Sequence, residues 1–198
     1  MDATEPFRAM AYNNAWANHR LLSAVARLDD AAFAASRTGF FPSLRATLNH
    51  LHVVDLFYVD ALEGGRLGPA AWAEPEPHAS GGALAVAQRD VDRRLVALAE
   101  ALTAAALDDE VEVHRGHRTQ RERRGRLMLH LFQHQIHHRG QAHAMLSDTA
   151  VAPPQLDEFF AAEEAPLRAA DFATLGFAED EIWARRAPTE PNGRTRWT

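Results

Sequence analysis

The stretch that decides the fold is RLMLHLFQHQIHHRGQAHAMLS, from Arg126 to Ser147. At about 100° per residue, an α-helix over this stretch has an apolar stripe centred on its leucine and methionine side chains. His134 and His138 fall roughly 20° to either side of the centre of that stripe. Four-residue spacing also places these two rings one turn apart on the same face. The stretch therefore predicts an amphipathic helix that directs two imidazoles toward a protein interior.

Three other segments show the same helical period, at about residues 6–28, 43–63 and 83–103. Pro153 and Pro154 forbid continuation of the last long helix. Four helices of about 20 residues, without a convincing set of strands, predict an all-α four-helix bundle. A short alternation at residues 111–113 is the one candidate for an arm of a small hairpin.

The C-terminal part of the chain shows weaker helical patterns, near residues 156–164 and 179–186. We therefore expect a bundle domain over residues 1–164. Residues 165–198 form a C-terminal extension that carries a short extra helical segment. This extension is either packed on the bundle or partly mobile.

Composition narrows the class of protein. Of 198 residues 46% are hydrophobic and 24% charged, and the net charge of −6 gives no electrostatic reason to expect nucleic acid as a partner. The first residues lack a signal pattern and no apolar run could span a bilayer, so we expect a cytoplasmic protein without a membrane partner. The chain has no cysteine, so a metal ion would be held by nitrogen and oxygen ligands.

A third inward histidine lies on the second helix. His50 belongs to a row with Thr47, Val54 and Phe57, whereas His52 projects toward the border of the helix and is the weaker candidate. Buried imidazoles without partners would each cost roughly 1 to 3 kcal/mol, and one metal ion would satisfy all three rings. The alternative is three separate core histidines bonded to backbone carbonyls or to water.

The three-histidine interpretation makes His50, His134 and His138 the ligands of one divalent ion. Such a set leaves coordination positions open, as in catalytic sites. Zn²⁺ is the default, and Ni²⁺, Fe²⁺, Mn²⁺ and Co²⁺ also accept imidazole. Gln141 and Asp55 are candidates to orient the ligands, although the pattern fits Asp55 equally well as a solvated helix residue.

The sequence resembles the DinB/YfiT-like family of metal-dependent bacterial proteins over about residues 8–162. The motifs that carry the resemblance are Tyr12 to Asn18, Leu48 to Asp55, Gln133 to Gln141 and Pro154 to Asp157. The resemblance implies a DinB-like four-helix bundle, commonly a homodimer, with a three-histidine site that maps onto His50, His134 and His138. It also implies activities such as transfer reactions that use low-molecular-weight thiols.

The resulting hypothesis is a metal-dependent transferase that acts on a small-molecule thiol and an electrophile. Arg139, or the arginines of residues 115–126, would be available to bind carboxylates of the thiol. The catalytic residues, beyond the metal ligands, are not identified by the sequence. Alternatives are a metal-dependent hydrolase, which is disfavoured by the lack of an inward acid beside the histidines, and a non-catalytic, stress-associated metal-binding protein.

Overall fold

Four long helices form the framework of the computed structural model, which describes residues 2–183. They are α1 (Glu5–Val25), α3 (Leu44–Leu62), α4 (Gly81–Glu100) and α5 (Arg124–Leu146). Helix α1 packs mainly against α4 and α3 mainly against α5, and contacts between α3 and α4 and between α1 and α5 close the ring. The predicted all-α bundle is confirmed.

Two of the four long helices, α3 and α4, begin at a serine whose side chain caps them. Ser43 accepts a hydrogen bond from the amide of Ala46 at 3.0 Å, and Ser80 caps α4 in the same way. The prediction from sequence started α4 at about residue 83, two residues too late, because it did not identify Ser80 as the cap. It also missed α2 (Asp30–Ala34), which is too short to display a helical period and which Asp29 caps.

The polar segment that precedes α5 forms a two-stranded antiparallel hairpin. Strands β1 (Glu110–His114) and β2 (Thr119–Arg123) pair in register, and β2 runs directly into α5. Val111 and Val113 are buried, so the short apolar alternation did predict a strand arm. Several arginines of residues 115–126 form ion pairs across this hairpin and with neighbouring residues.

The C-terminal part differs from the sequence-based prediction. Residues 156–161 are irregular and lead into a short 3₁₀ turn, whereas the helix lies later, at α6 (Ala165–Leu175), and is followed by α7 (Glu179–Trp183). Pro166 suits the first turn of α6, and Gly176, at φ 74°, ends it. The last part of the predicted helix at 179–186, and the remainder of the extension, lie outside the described residues.

The apolar core has three parts. Two clusters fill the two ends of the bundle, one toward the hairpin and one toward the α2 end. A third lies between α1 and the C-terminal helices, where Trp16 packs on Phe159, which in turn packs on Phe172. Among residues 2–183, no helix is long and apolar enough to cross a membrane. The predicted boundary at residue 164, between the bundle domain and the C-terminal extension, stays a prediction.

Candidate metal centre

Two antiparallel helices bring the three histidines together. His50 comes from the first half of α3, and His134 and His138 come from successive turns of α5. The Nε2 atoms of His50 and His134 are 3.1 Å apart, and each of the three rings offers a nitrogen within 4.8 Å of the others. The structure thus places all three predicted side chains around one point.

The site lies at the edge of the bundle core and not at its centre. His138 is 7% exposed, and His50 and His134 are half-buried. The face of α5 that is buried in the bundle includes Gln135 and Arg139, which are 0% and 5% exposed. The prediction that His134 and His138 lie at the centre of the buried face is therefore wrong. This rotation of α5 leaves one side of the three-histidine cluster open to solvent.

An aromatic side chain from the loop between α2 and α3 closes another side. The Phe41 ring lies 4.5 Å from the His50 ring and 5.6 Å from the His138 ring, measured between centroids. Phe40 packs on Phe41 at 4.9 Å and is 79% exposed. Sequence reasoning missed both residues, because a loop residue carries no periodicity that would show which way it points.

The three rings are neutral at neutral pH. Burial, with a smaller contribution from the His138 ring, lowers the pKa of His50 to about 4. Burial, followed by the rings of His138 and His50, lowers the pKa of His134 to about 3. The pKa of His138 is also lowered, mainly by burial. Neutral imidazoles have the free lone pairs that a metal ion requires.

Gln141 orients one of the rings. Its Oε1 accepts a hydrogen bond from Nδ1 of His138 at 2.8 Å, and its amide nitrogen lies 3.1 Å from Nε2 of His137. The bond to Nδ1 leaves the lone pair of His138 on Nε2. The sequence placed Gln141 beside His134, and the structure shows that it acts on His138.

The donor set fits a divalent ion. Nδ1 of His134 is buried without a hydrogen-bond partner, and its Nε2 faces another imidazole. No ring nitrogen of the three histidines has a hydrogen bond to a backbone carbonyl within the described residues, which argues against three independent core histidines. Three neutral nitrogen donors with an open side suit Zn²⁺ and the other borderline ions.

Comparisons with known proteins place the chain in a family and show its fold. The model of the DinB family matches residues 2–172. The chain belongs to the DinB family. The solved structures that it resembles include the crystal structure of a DinB-like protein from Bacillus cereus ATCC 10987, with a TM-score of 0.57 and 16% sequence identity. That match covers 73% of this chain and 91% of the other, and it shows the shared fold. No curated protein matches the sequence.

The remaining histidines of this DinB-family chain are not part of the candidate ligand group, although the ring of His137 packs on that of His138 at 4.9 Å between centroids. Nδ1 of His52 contacts Oε1 of Gln88 at 2.9 Å, and Nε2 of His143 contacts the carbonyl of Pro154. His130 is exposed, with its ring centroid 6.5 Å from that of His134. His52 therefore lies outside the candidate ligand group, in agreement with the prediction that it is a weaker ligand candidate than His50.

Asp55 and Arg139 belong to a polar layer inside the bundle, to which each long helix contributes two side chains. The layer consists of Asn14, Asn18, His52, Asp55, Gln88, Asp92, Gln135 and Arg139. Asp55 is 1% exposed and accepts a hydrogen bond from Gln88, so the solvated interpretation of Asp55 is wrong. Arg139 donates to Asn14, Asn18 and Gln135 and is buried, so it is not available to bind a substrate carboxylate.

Proposed function

We propose that this DinB-family chain binds one divalent metal ion, by default Zn²⁺, through His50, His134 and His138. We further propose that it is a transferase acting on a low-molecular-weight thiol and an electrophile. The observation that carries the proposal is the convergence of three neutral imidazoles with one side open to solvent. A bound ion would supply Lewis acidity that lowers the pKa of a thiol.

The chain's own residues supply position and environment. The imidazoles hold the site on two rigid helices, and Gln141 fixes the tautomer of His138. Phe41 covers the rings on the side of the α2–α3 loop and limits access of water there. In the transfer, the thiol loses its proton to solvent, its sulfur bonds to the electrophilic carbon, and a leaving group such as chloride departs with the electron pair.

Thiol transfer is favoured over hydrolysis by the composition of the cluster. Within residues 2–183, the group that could hold a metal contains only the three histidines and no carboxylate. Hydrolysis by a metal-bound water uses a general base beside the ion, and thiol transfer needs no such group.

We also propose that the protein acts in the cytoplasm and forms a homodimer. The exposed side chains of Leu129 and Ile136 on α5 offer apolar surface for a dimer contact.

Elemental analysis of the purified protein tests the site first. We expect about one divalent ion per chain, and loss of that ion in His134→Ala with the helical circular dichroism retained. His117→Ala, in the exposed turn of the hairpin, is the matched control and should keep the ion. Equal metal content in His134→Ala and the unmodified protein would contradict the assignment.

Turnover is tested by incubating the metal-loaded protein with a thiol and a chlorinated arene and detecting the thioether by mass spectrometry. We expect conjugate formation that is lost in His134→Ala. Metal binding without turnover across a panel of thiols and hydrolysable esters would instead identify a non-catalytic metal-binding protein.

A further inference from the structure

The line along which α3 packs against α5 runs from the three-histidine cluster toward the hairpin. The two helices run antiparallel, since His50 meets His134 at one end and Arg124 donates to the carbonyl of Leu62 at the other. Between these ends lies a row of rings. His130 is 6.5 Å from His134, and Tyr58 is 5.3 Å from His130, measured between ring centroids.

Arg115 stands at the far end of this row. Its Nη2 donates a hydrogen bond to the hydroxyl of Tyr58 at 2.9 Å. Its guanidinium carbon lies 4.9 Å from the centroid of Phe57 and 5.5 Å from that of Tyr58. Trp72 packs against Phe57 at 4.3 Å and supports that surface. Aromatic stacking and two hydrogen bonds, to Tyr58 and Gln120, therefore hold this guanidinium in place.

The charge of Arg115 is not compensated by an acid. Among the described residues its polar partners are the Tyr58 hydroxyl and the side-chain oxygen of Gln120, and it forms no ion pair. Two other hairpin arginines differ, since Arg121 pairs with Glu112 and Arg123 with Asp108. A guanidinium that is fixed in place and lacks a carboxylate partner is suited to bind a carboxylate from a ligand.

We propose that Arg115 is the binding site for a carboxylate at the far end of the thiol substrate, whose sulfur lies at the three-histidine cluster. Tyr58 follows His50 by eight residues on α3, which corresponds to about 12 Å along the helix. The ligand is therefore an extended thiol with a carboxylate at about that distance from its sulfur. This inference rests on the proposed function and adds a length and a charge to the substrate.

The test uses the Co²⁺-loaded full chain and two series of linear thiols of increasing length. One series ends in a carboxylate, and the other ends in the matched neutral amide. Titration of the thiolate-to-cobalt charge-transfer band gives the dissociation constant of each thiol without requiring turnover. We expect the acid to bind about tenfold or more tightly than the amide only at lengths that reach from the three-histidine cluster to Arg115, because a hydrogen bond between two charged groups is stronger than one to a neutral amide.

Arg115→Gln is the decisive variant, because it removes the charge and keeps an amide donor for the Tyr58 hydroxyl. We expect its ratio of acid to amide affinity to fall to about one, with the amide affinity unchanged. Arg118→Gln, on the exposed turn of the same hairpin, is the control and should keep the preference. Added salt should reduce the preference in the unmodified protein.

The experiment distinguishes failure of the inference about Arg115 from failure of the proposed thiol chemistry. A band that forms with both series, but without any preference for the acid or with a preference that Arg115→Gln retains, overturns the inference about Arg115 and leaves the proposed function intact. The absence of a band with every thiol overturns the proposed thiol chemistry and this inference with it.

Discussion

At the scale of single residues, the candidate site depends on how each imidazole is held. Gln141 accepts a hydrogen bond from Nδ1 of His138, and its amide group is itself held by His137. The orientation of the amide therefore fixes which nitrogen of His138 carries the lone pair. Partners of this kind commonly change metal affinity by 10- to 100-fold when removed.

We predict that Gln141→Ala lowers metal affinity by about 10- to 100-fold, because His138 loses the acceptor that fixes its tautomer. Gln141→Glu should retain the affinity, because a carboxylate accepts the same hydrogen bond. Competition with a chromophoric chelator measures both. Gln133→Ala, at an exposed position of the same helix, is the control. An affinity that is equal in Gln141→Ala and Gln133→Ala would show that Gln141 does not position the ring.

At the scale of elements, the polar layer links the four long helices. Arg139 of α5 donates to Asn14 and Asn18 of α1, and Gln88 of α4 donates to Asp55 of α3. The layer contains two buried carboxylates and one guanidinium, so its charges do not balance when both acids are ionised. Burial raises the pKa of Asp55 well above its ordinary value and raises the pKa of Asp92 to about 7, while it lowers that of Arg139 to about 10.

The raised pKa of Asp92 makes stability depend on pH. Between its ordinary value of 3.8 and about 7, the folded chain binds more protons at this group than the unfolded chain does. The contribution of Asp92 to the free energy of unfolding therefore falls as pH rises through this window. Asn14, Asn18 and Gln88 all donate to the same oxygen, Oδ1, which an asparagine would keep.

We predict that Asp92→Asn becomes more stable relative to the unmodified protein as pH rises from about 5 to 8, by an amount on the order of a few kcal/mol. Urea unfolding at a series of pH values, with metal removed, measures the difference. Asp90→Asn, at an exposed position on the same helix, is the matched control. A constant difference for Asp92→Asn would mean that Asp92 is ionised throughout.

At the scale of the whole molecule, the described part of the C-terminal extension, residues 165–183, packs on the bundle. Arg168 is 1% exposed, pairs with Glu179, and donates to the carbonyls of Glu158 and Ala161. Arg20 of α1 reaches Asp171 and Glu158 in the same region. These bonds and the aromatic cluster around Trp16 attach α6 and α7 to α1, so the segment covers an apolar face of the bundle.

We predict that Arg168→Met lowers the free energy of unfolding by about 2 to 4 kcal/mol, because it leaves Glu179 and two carbonyl groups without their donor. Arg93→Met is the control, since Arg93 is 67% exposed and its pair with Asp90 should contribute less than about 1 kcal/mol. Chemical denaturation measures both. Equal stability of the two variants would show that α6 and α7 contribute little to the fold.

The sequence by itself determined the helical framework and the identity of the three histidines. Helical periodicity reports which residues share a face, so the spacing of Leu127, Leu131, His134 and His138 is enough to place them together. The lack of periodicity explains why α2 and the position of Phe41 were not predicted. Helix α2 is too short to show it, and the loop residue Phe41 has no period at all.

Only the tertiary structure decided how α5 is rotated, and therefore what its polar residues do. Arg139 is buried because two side-chain amides of α1 accept its hydrogen bonds, and no local pattern in α5 reports those partners. That rotation moves His134 to the edge of the core and opens the cluster to solvent. The position of Arg115 beside Tyr58 has the same origin, since a hairpin and a helix separated by 57 positions in sequence meet only in the folded chain.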